Sequence, residues 1–432
     1  MRKMFSHCLK LSYKDTAQQN SYVTIPHAAY SFDNTEIAAN VDEDIIDSLT
    51  GGRLVGSVTS FENFAECPLR YYLRYGVDLK EREEFTFSPV NFGVVLHAVI
   101  REVCDEIKKN GESYYLISEE KRREMVKRSV SAITDIYQNS ILKDSSRNSF
   151  MIKRMEDLAD RTIWAMGEQL KCGDFVPFVF EHKFNMEVGD GDRKQLMSGT
   201  IDRVDICEND TDVYVRIIDY KTGKKDFNIV KTYYGIDIQL MVYMEAAMKL
   251  VAKMRPGKNV LPAGVFYYNI SDPIVSATNE SAEEIEDKIK GELRLKGMVN
   301  SDKDIAEKMD NTEGTSLNIP VSRKADGGFD SRRSKVMNTE QFNMLGRFVD
   351  VRAIDTADRI AGGDIRRSPY KDGQFSSCDR CPYGAVCGFS VDLPGCNYRK
   401  LKKFDDEVLW NNIKEGVDEN GKKMDTGAEE RD

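Results

Sequence analysis

Asp202, Asp219 and Lys221 are the residues whose types and spacing carry the most chemistry. Asp202 lies in Ser198-Gly199-Thr200-Ile201-Asp202-Arg203-Val204-Asp205, and Asp219 in Arg216-Ile217-Ile218-Asp219-Tyr220-Lys221-Thr222-Gly223. Both runs read as β-strands. Strand side chains alternate faces, so Asp219 and Lys221 point the same way as Val213, Val215 and Ile217. An apolar face that ends in an acid and a lysine needs a reason, because buried charge is costly unless paired or bound to metal. Two carboxylates can hold Mg²⁺, which lowers the pKa of a bound water and offsets charge on a phosphate. Lys221 beside them would stabilise the charge developing on a phosphodiester. Glu181, on the preceding strand, is available for a second metal or as a base. A lone D-x-K would be only a strand running into a solvated turn. Three acids on consecutive strands favour a site.

The elements around these residues follow from hydrophobic period. Phe178, Phe180, Phe184 and Met186 alternate with polar residues; Leu196–Cys207 and Asp212–Lys221 follow after short polar turns, giving a three-stranded antiparallel meander. Before it, Val90–Lys109 is a helix on Leu96, Val99, Ile100, Val103 and Ile107, with His97 on its flank, and a charged helical region covers about 118–169. After it, Ile236, Leu240, Tyr243, Met244, Ala247 and Val251 stripe another helix. Ala263–Tyr268 is a strand which that crossover makes parallel to a neighbour. Residues 281–310 read as charged and helical, Ala325–Asp330 as a turn, and Thr339–Ile360 as a helix ended by Gly362-Gly363. Ser60 is a candidate N-cap for a helix leading into Cys67-Pro68-Leu69-Arg70-Tyr71-Tyr72-Leu73-Arg74-Tyr75. The alternation of arginines and aromatics there makes Arg70, Tyr71 and Arg74 candidate DNA contacts; an amphipathic helix edge explains the same pattern.

Nine cysteines are present, four of them between Cys378 and Cys396. In a reducing compartment such clustering suggests a metal or iron–sulfur site. Cys378-x-x-Cys381-x5-Cys387 offers three thiolates, and a cubane cluster or a structural zinc needs four. Cys396 or the distant Cys67 is the fourth. On the residues alone, zinc and iron–sulfur stand even. Cys8, Cys104, Cys172 and Cys207 read as ordinary small core residues.

The acid–acid–lysine arrangement and the helix–meander–helix–strand order resemble the PD-(D/E)XK (restriction-endonuclease-like) nuclease superfamily. This implies an α/β fold: a mixed central sheet with helical insertions. Gly93-x-x-Leu96-His97 resembles the metal-binding histidine motif of that superfamily's bacterial recombination branch, and Gln239-Leu240-Met241-Val242-Tyr243 its Q-x-x-x-Y motif. The resemblance implies His97, Asp202, Asp219 and the Tyr220 carbonyl as Mg²⁺ ligands, Lys221 as the catalytic lysine, and Gln239 and Tyr243 as orienting groups. Taken singly, His97 is a half-buried helix histidine and the other two a core edge. Ser60-x6-Cys67-Pro68-x2-Tyr71-Tyr72 and the late C-x2-C-x5-C are similar to the split cysteine set of a recombination-nuclease subfamily. There a [4Fe-4S] cluster staples the two ends of the domain. The resemblance thus selects Cys67, Cys378, Cys381 and Cys387, with structural zinc as the alternative.

The similarity runs over about residues 55–400, and within the superfamily the chain resembles the C-terminal nuclease part of the B subunit (AddB) of AddAB-type helicase–nucleases. It implies a Mg²⁺-dependent deoxyribonuclease of double-strand-break resection and recombinational repair, cleaving single strands, with DNA and an AddA-like helicase–nuclease chain as partners. The chain contains no G-x-x-x-x-G-K-[ST] loop, so motor activity is not carried over. The alternatives are a stand-alone CRISPR-type iron–sulfur exonuclease, against which the long helical insertions count, and a non-catalytic cluster-bearing scaffold, against which the full set of candidate residues counts.

Composition sets outer bounds. The net charge of −10 argues against a generic polyanion binder, although local clustering matters more than the sum. No apolar run is long enough to span a bilayer and the start lacks a signal-peptide core, which points to a cytoplasmic protein; the resemblance implies association with the nucleoid during repair. Three segments are expected: 1–55 as the remnant of a preceding region, 56–400 as the nuclease domain, and 401–432 as a disordered acidic tail. From Phe404 that tail holds ten acids against four bases.

Overall fold

The two-residue period before Lys221 becomes the centre of a mixed sheet. The computed structural model describes residues 55–80, 89–136, 146–188, 195–276, 280–393 and 396–429. In chain order these form β1 (Val55–Ser57), α1 (Val58–Glu66), α2 (Pro68–Tyr71, prolonged by a π-helical turn at Tyr72–Gly76), α3 (Pro89–Lys109), α4 (Glu119–Ile136) and α5 (Ser146–Lys171). The meander follows as β2 (Val176–Val188), β3 (Gln195–Glu208) and β4 (Asp212–Lys221). Then come α6 (Ile229–Tyr233), α7 (Gln239–Met254), β5 (Asn259–Asn269), α8 (Ala282–Glu292), β6 (Lys296–Asn300), α9 (Lys303–Met309), β7 (Val336–Met337) and α10 (Thr339–Ala361). A small sheet of β8 (Tyr370–Asp372), β9 (Phe375–Ser376) and β10 (Arg399–Lys400) encloses α11 (Gly384–Cys387), and α12 (Asp406–Glu429) closes the chain.

The main sheet runs β1-β3-β4-β5-β6-β7, with β2 on β3. β2, β3 and β4 pair antiparallel, and β5 lies parallel to β4, as a helix-length connection requires. Each face has its own core. Ile218, Tyr220, Phe266 and Tyr268 meet α3–α5, where Leu96, Val99, Ile100, Val103 and Ile107 are all buried. Val213, Val215, Ile217, Val265 and Tyr267 meet α7 and α10. The site residues on β3 and β4 continue this second face.

Three expectations are corrected, while the helical region 118–169 holds α4 and α5. Residues 281–310 are not helical throughout: Gly297-Met298-Val299-Asn300 is a buried strand between two helices. A Cβ at Gly297 would fall 1.9 Å from the Val265 carbonyl oxygen, so only glycine allows β6 to lie this close to β5. The first helix is capped three residues early, with Ser57 rather than Ser60 accepting the Ser60 N–H. The acidic tail is helical from Asp406, because Leu409 and Ile413, one turn apart, bury against α10, with Trp410 and Val417 beside them. The expected remnant 1–55 lies outside the described residues, save Val55.

Candidate active site

Glu181, Asp202 and Asp219 fall in one row across β2, β3 and β4. The flanking pairs Phe180↔Arg203, His182↔Ile201 and Arg203↔Ile218 set that row. The β3–β4 ladder ends at Arg203↔Ile218. At the next step the Asp202 carboxylate accepts the Tyr220 N–H at 2.6 Å, in place of a ladder bond. The N–H and C=O of a strand residue leave by the same edge, so the Tyr220 carbonyl faces this gap too. Glu181 adopts φ 48°, a left-handed conformation that costs a non-glycine residue about 1–3 kcal/mol.

His97 reaches the gap from α3. Its Nδ1 lies 3.4 Å from Asp202 and 3.7 Å from Glu181, and its ring stands edge-on to Tyr220. One donor atom from each of His97, Glu181 and Asp202 lies within 4.8 Å of the other two, close enough to share one ion. Burial pulls the His97 pKa down, but hydrogen bonds to Asp202 and Glu181 outweigh it and raise the ring to about 10. The resemblance groups Asp219 rather than Glu181 with His97 and Asp202. In the structure Asp219 Oδ2 turns to the ammonium of Lys221, two residues along the same face. Burial, then the charge of Asp202, pushes the Asp219 carboxyl up to about 6, with Lys221 opposing.

Lys221 donates to Gln239 Oε1 at 2.9 Å, and Gln239 Nε2 donates to the Tyr243 hydroxyl at 2.9 Å. Tyr243 fits because Gly199 has no side chain; a Cβ there would lie 3.0 Å from the Tyr243 ring and closer still to Phe184. Lys221, Gln239 and Tyr243 thus form one chain of hydrogen bonds. Behind them lies a second polar layer that sequence reasoning misses. Asp237 is buried, accepts the Tyr267 hydroxyl at 2.7 Å and pairs with Lys225 Nζ at 3.0 Å. Glu62 accepts the N–H groups of Ile238 and Gln239. The signal for this layer is weak: Asp237 stands between Ile236 and Ile238, and Glu62 between Phe61 and Phe64, acids inside apolar text.

Cys67, Cys378, Cys381 and Cys387 line one pocket with Leu69, Leu73, Tyr383 and Phe389. Cys396 is buried but does not line it. Burial pushes the Cys378 thiol up to about 11, with a smaller contribution from the other three thiols. Hydrogen bonds from Ser377 to the Glu66 carbonyl and from Tyr383 to the Leu79 carbonyl tie the same two chain segments together. Among the DNA-contact candidates, Tyr71 is a correction. It is buried edge-on against Phe64 and beside Ile360, which leaves no face for a base. Arg70 is half-buried, paired with Glu66 beside the cysteines. Arg74 is exposed over the Tyr75 ring.

Residues 56–388 match the model of the PD-(D/E)XK nuclease superfamily. The chain is 34% identical over 391 residues to the B subunit of an ATP-dependent helicase/deoxyribonuclease of Clostridium acetobutylicum, covering 88% of this chain and 34% of that protein. It is 34% identical to the proteins of the same name from Lachnoclostridium phytofermentans and Caldanaerobacter subterraneus subsp. tengcongensis, with 90% of this chain and 34% of each relative covered. The chain therefore spans about a third of the length of the curated relatives it matches. No helix among the described residues is long and apolar enough to cross a membrane. With a mixed sheet carrying an acid–acid–x–lysine row, and a family model matching most of its length, the chain belongs to the PD-(D/E)XK nuclease superfamily.

Proposed function

We propose that this chain is the Mg²⁺-dependent nuclease part of an AddB-like helicase–nuclease, cutting single-stranded DNA during double-strand-break resection beside an AddA-like partner. The observation that carries the reading is the convergence of His97, Glu181 and Asp202 next to the Asp219–Lys221–Gln239 contacts. The relatives' name, the B subunit of an ATP-dependent helicase/deoxyribonuclease, supplies the class of substrate and partner.

The donor set fits a hard cation that takes oxygen ligands and keeps water. His97, Asp202, Asp219 and the Tyr220 carbonyl would hold it, and the geometry supports adding Glu181. Bound there, Mg²⁺ supplies a water of lowered pKa and offsets charge on the scissile phosphate. Lys221 is held by Asp219 and Gln239, with its ammonium available to a phosphate oxygen as negative charge develops. Tyr243 fixes the Gln239 amide, so Lys221 needs little reorganisation.

The cysteine pocket supports a [4Fe-4S] staple. Four thiols from two distant chain segments line it, the number that a cubane cluster or a structural zinc needs.

The test is linear single-stranded DNA with Mg²⁺, cut by the parent protein beside Asp219→Ala and Lys221→Ala. Loss of cleavage in both variants is expected, and equal cleavage by all three overturns the assignment. Anaerobic purification should give a brown, iron-containing protein, with iron lost in Cys67→Ala and kept in Cys396→Ala. Zinc in its place refutes the cluster and leaves the nuclease reading standing.

A further inference from the structure

Helix α7 begins without a cap of its own. Its N-cap position is Ile238, whose side chain accepts no hydrogen bond, yet the first N–H groups of a helix need acceptors. They find one from a distant part of the chain: Glu62 Oε1, on α1, accepts the N–H of Ile238 at 3.0 Å and of Gln239 at 3.0 Å. Gln239, the first residue of α7, is the one whose side chain receives Lys221. Helix α1 is itself anchored at both ends. It starts from β1, paired with β3 at Met197 and Ser198, and it is capped at its C-terminus by Cys67.

We propose that Glu62 is a positioning residue for the nuclease reaction, setting the place of Lys221 by capping α7 at Gln239. Glu62 does not reach the reacting groups. It fixes the backbone of Gln239, and Gln239 Oε1 fixes the lysine. The carboxylate acts as a hydrogen-bond acceptor, so an uncharged acceptor of the same shape suffices.

This inference rests on the nuclease reading, but one readout does not. Glu62→Met keeps the chain length and removes both acceptors, whereas Glu62→Gln keeps an acceptor and removes the charge. Amide hydrogen exchange at Ile238 and Gln239, measured without substrate, should speed up in Glu62→Met and stay near parent in Glu62→Gln. On single-stranded DNA, Glu62→Met should lose roughly ten- to hundredfold in kcat with KM little changed, since small misplacement of a reacting group costs that much. Glu62→Gln should restore the rate. In a Gln239→Ala background, Glu62→Met should cost little more, because both act through one contact. Unchanged exchange in Glu62→Met, a Glu62→Gln as slow as Glu62→Met, or losses that add with Gln239→Ala would each overturn the proposal. A parent protein that leaves DNA intact while the exchange pattern holds would instead strike the nuclease reading.

Discussion

The Asp202 carboxylate accepts the backbone N–H of Tyr220 at 2.6 Å, one step beyond the last β3–β4 ladder pair. A side chain thus ends the ladder and places its second oxygen beside His97. Asn at this position keeps an oxygen for Tyr220 and loses the charge. Asp202→Asn should therefore melt close to the parent and cleave DNA at least about a hundredfold more slowly. Parallel thermal melts and rate measurements check this; near-normal cleavage would remove Asp202 from the site.

His97 carries a proton at neutral pH, because Asp202 and Glu181 outweigh burial and raise it to about 10. A cation taking that nitrogen must displace the proton. Mg²⁺ binding should release close to one proton between pH 7 and 9, and the Mg²⁺ needed for half-maximal activity should fall as pH rises. Calorimetry in two buffers of different ionisation enthalpy reads the proton directly, and His97→Gln should abolish its release.

Below the site lies a buried triad. Asp205 accepts Arg203 at 2.7 and 2.6 Å and Arg216 at 2.8 Å, all three fully enclosed. Removing the anion leaves two buried guanidinium groups without the one carboxylate that pairs with both. Asp205→Ala should cost about 3–5 kcal/mol, seen as a lower denaturant midpoint. A loss below about 1 kcal/mol would mean water reaches the arginines.

Asp350 on α10 faces Glu245 on α7, with Lys249 nearby, and burial plus that neighbouring acid raise its carboxyl to about 8. A carboxyl raised on folding contributes stability that is present below its ordinary value near 3.9 and lost as pH rises through about 8. Asp350→Asn should thus gain melting temperature over the parent at pH 9 and gain none at pH 4. A pH-independent difference would show that the pair does not share a proton in the folded state.

Much of the site is legible in the residues alone. Asp219 and Lys221 share a face because strands alternate, and Gln239 and Tyr243 meet because helix neighbours lie one turn apart. Glu181 reads only as a reserve ligand, since nothing local foretells its left-handed backbone. Tyr71 misleads because arginine–aromatic alternation looks the same on a DNA-facing helix and on one packed against Phe64. The acidic tail misleads because its buried residues, Leu409 and Ile413, and their half-buried neighbours Trp410 and Val417 are outnumbered by charged residues.

By itself the sequence determined what short-range geometry dictates: the meander, the D-x-K face, the Q-x-x-x-Y pair and the three late cysteines. The tertiary structure decided which distant segments meet. It brought His97 to Glu181 and Asp202, set Cys67 into the same pocket as Cys378, and left Glu62 to cap the helix that carries Gln239. Periodicity is fixed by bond geometry within a few residues, whereas these meetings depend on how the two faces of one sheet are covered by helices far apart in the chain.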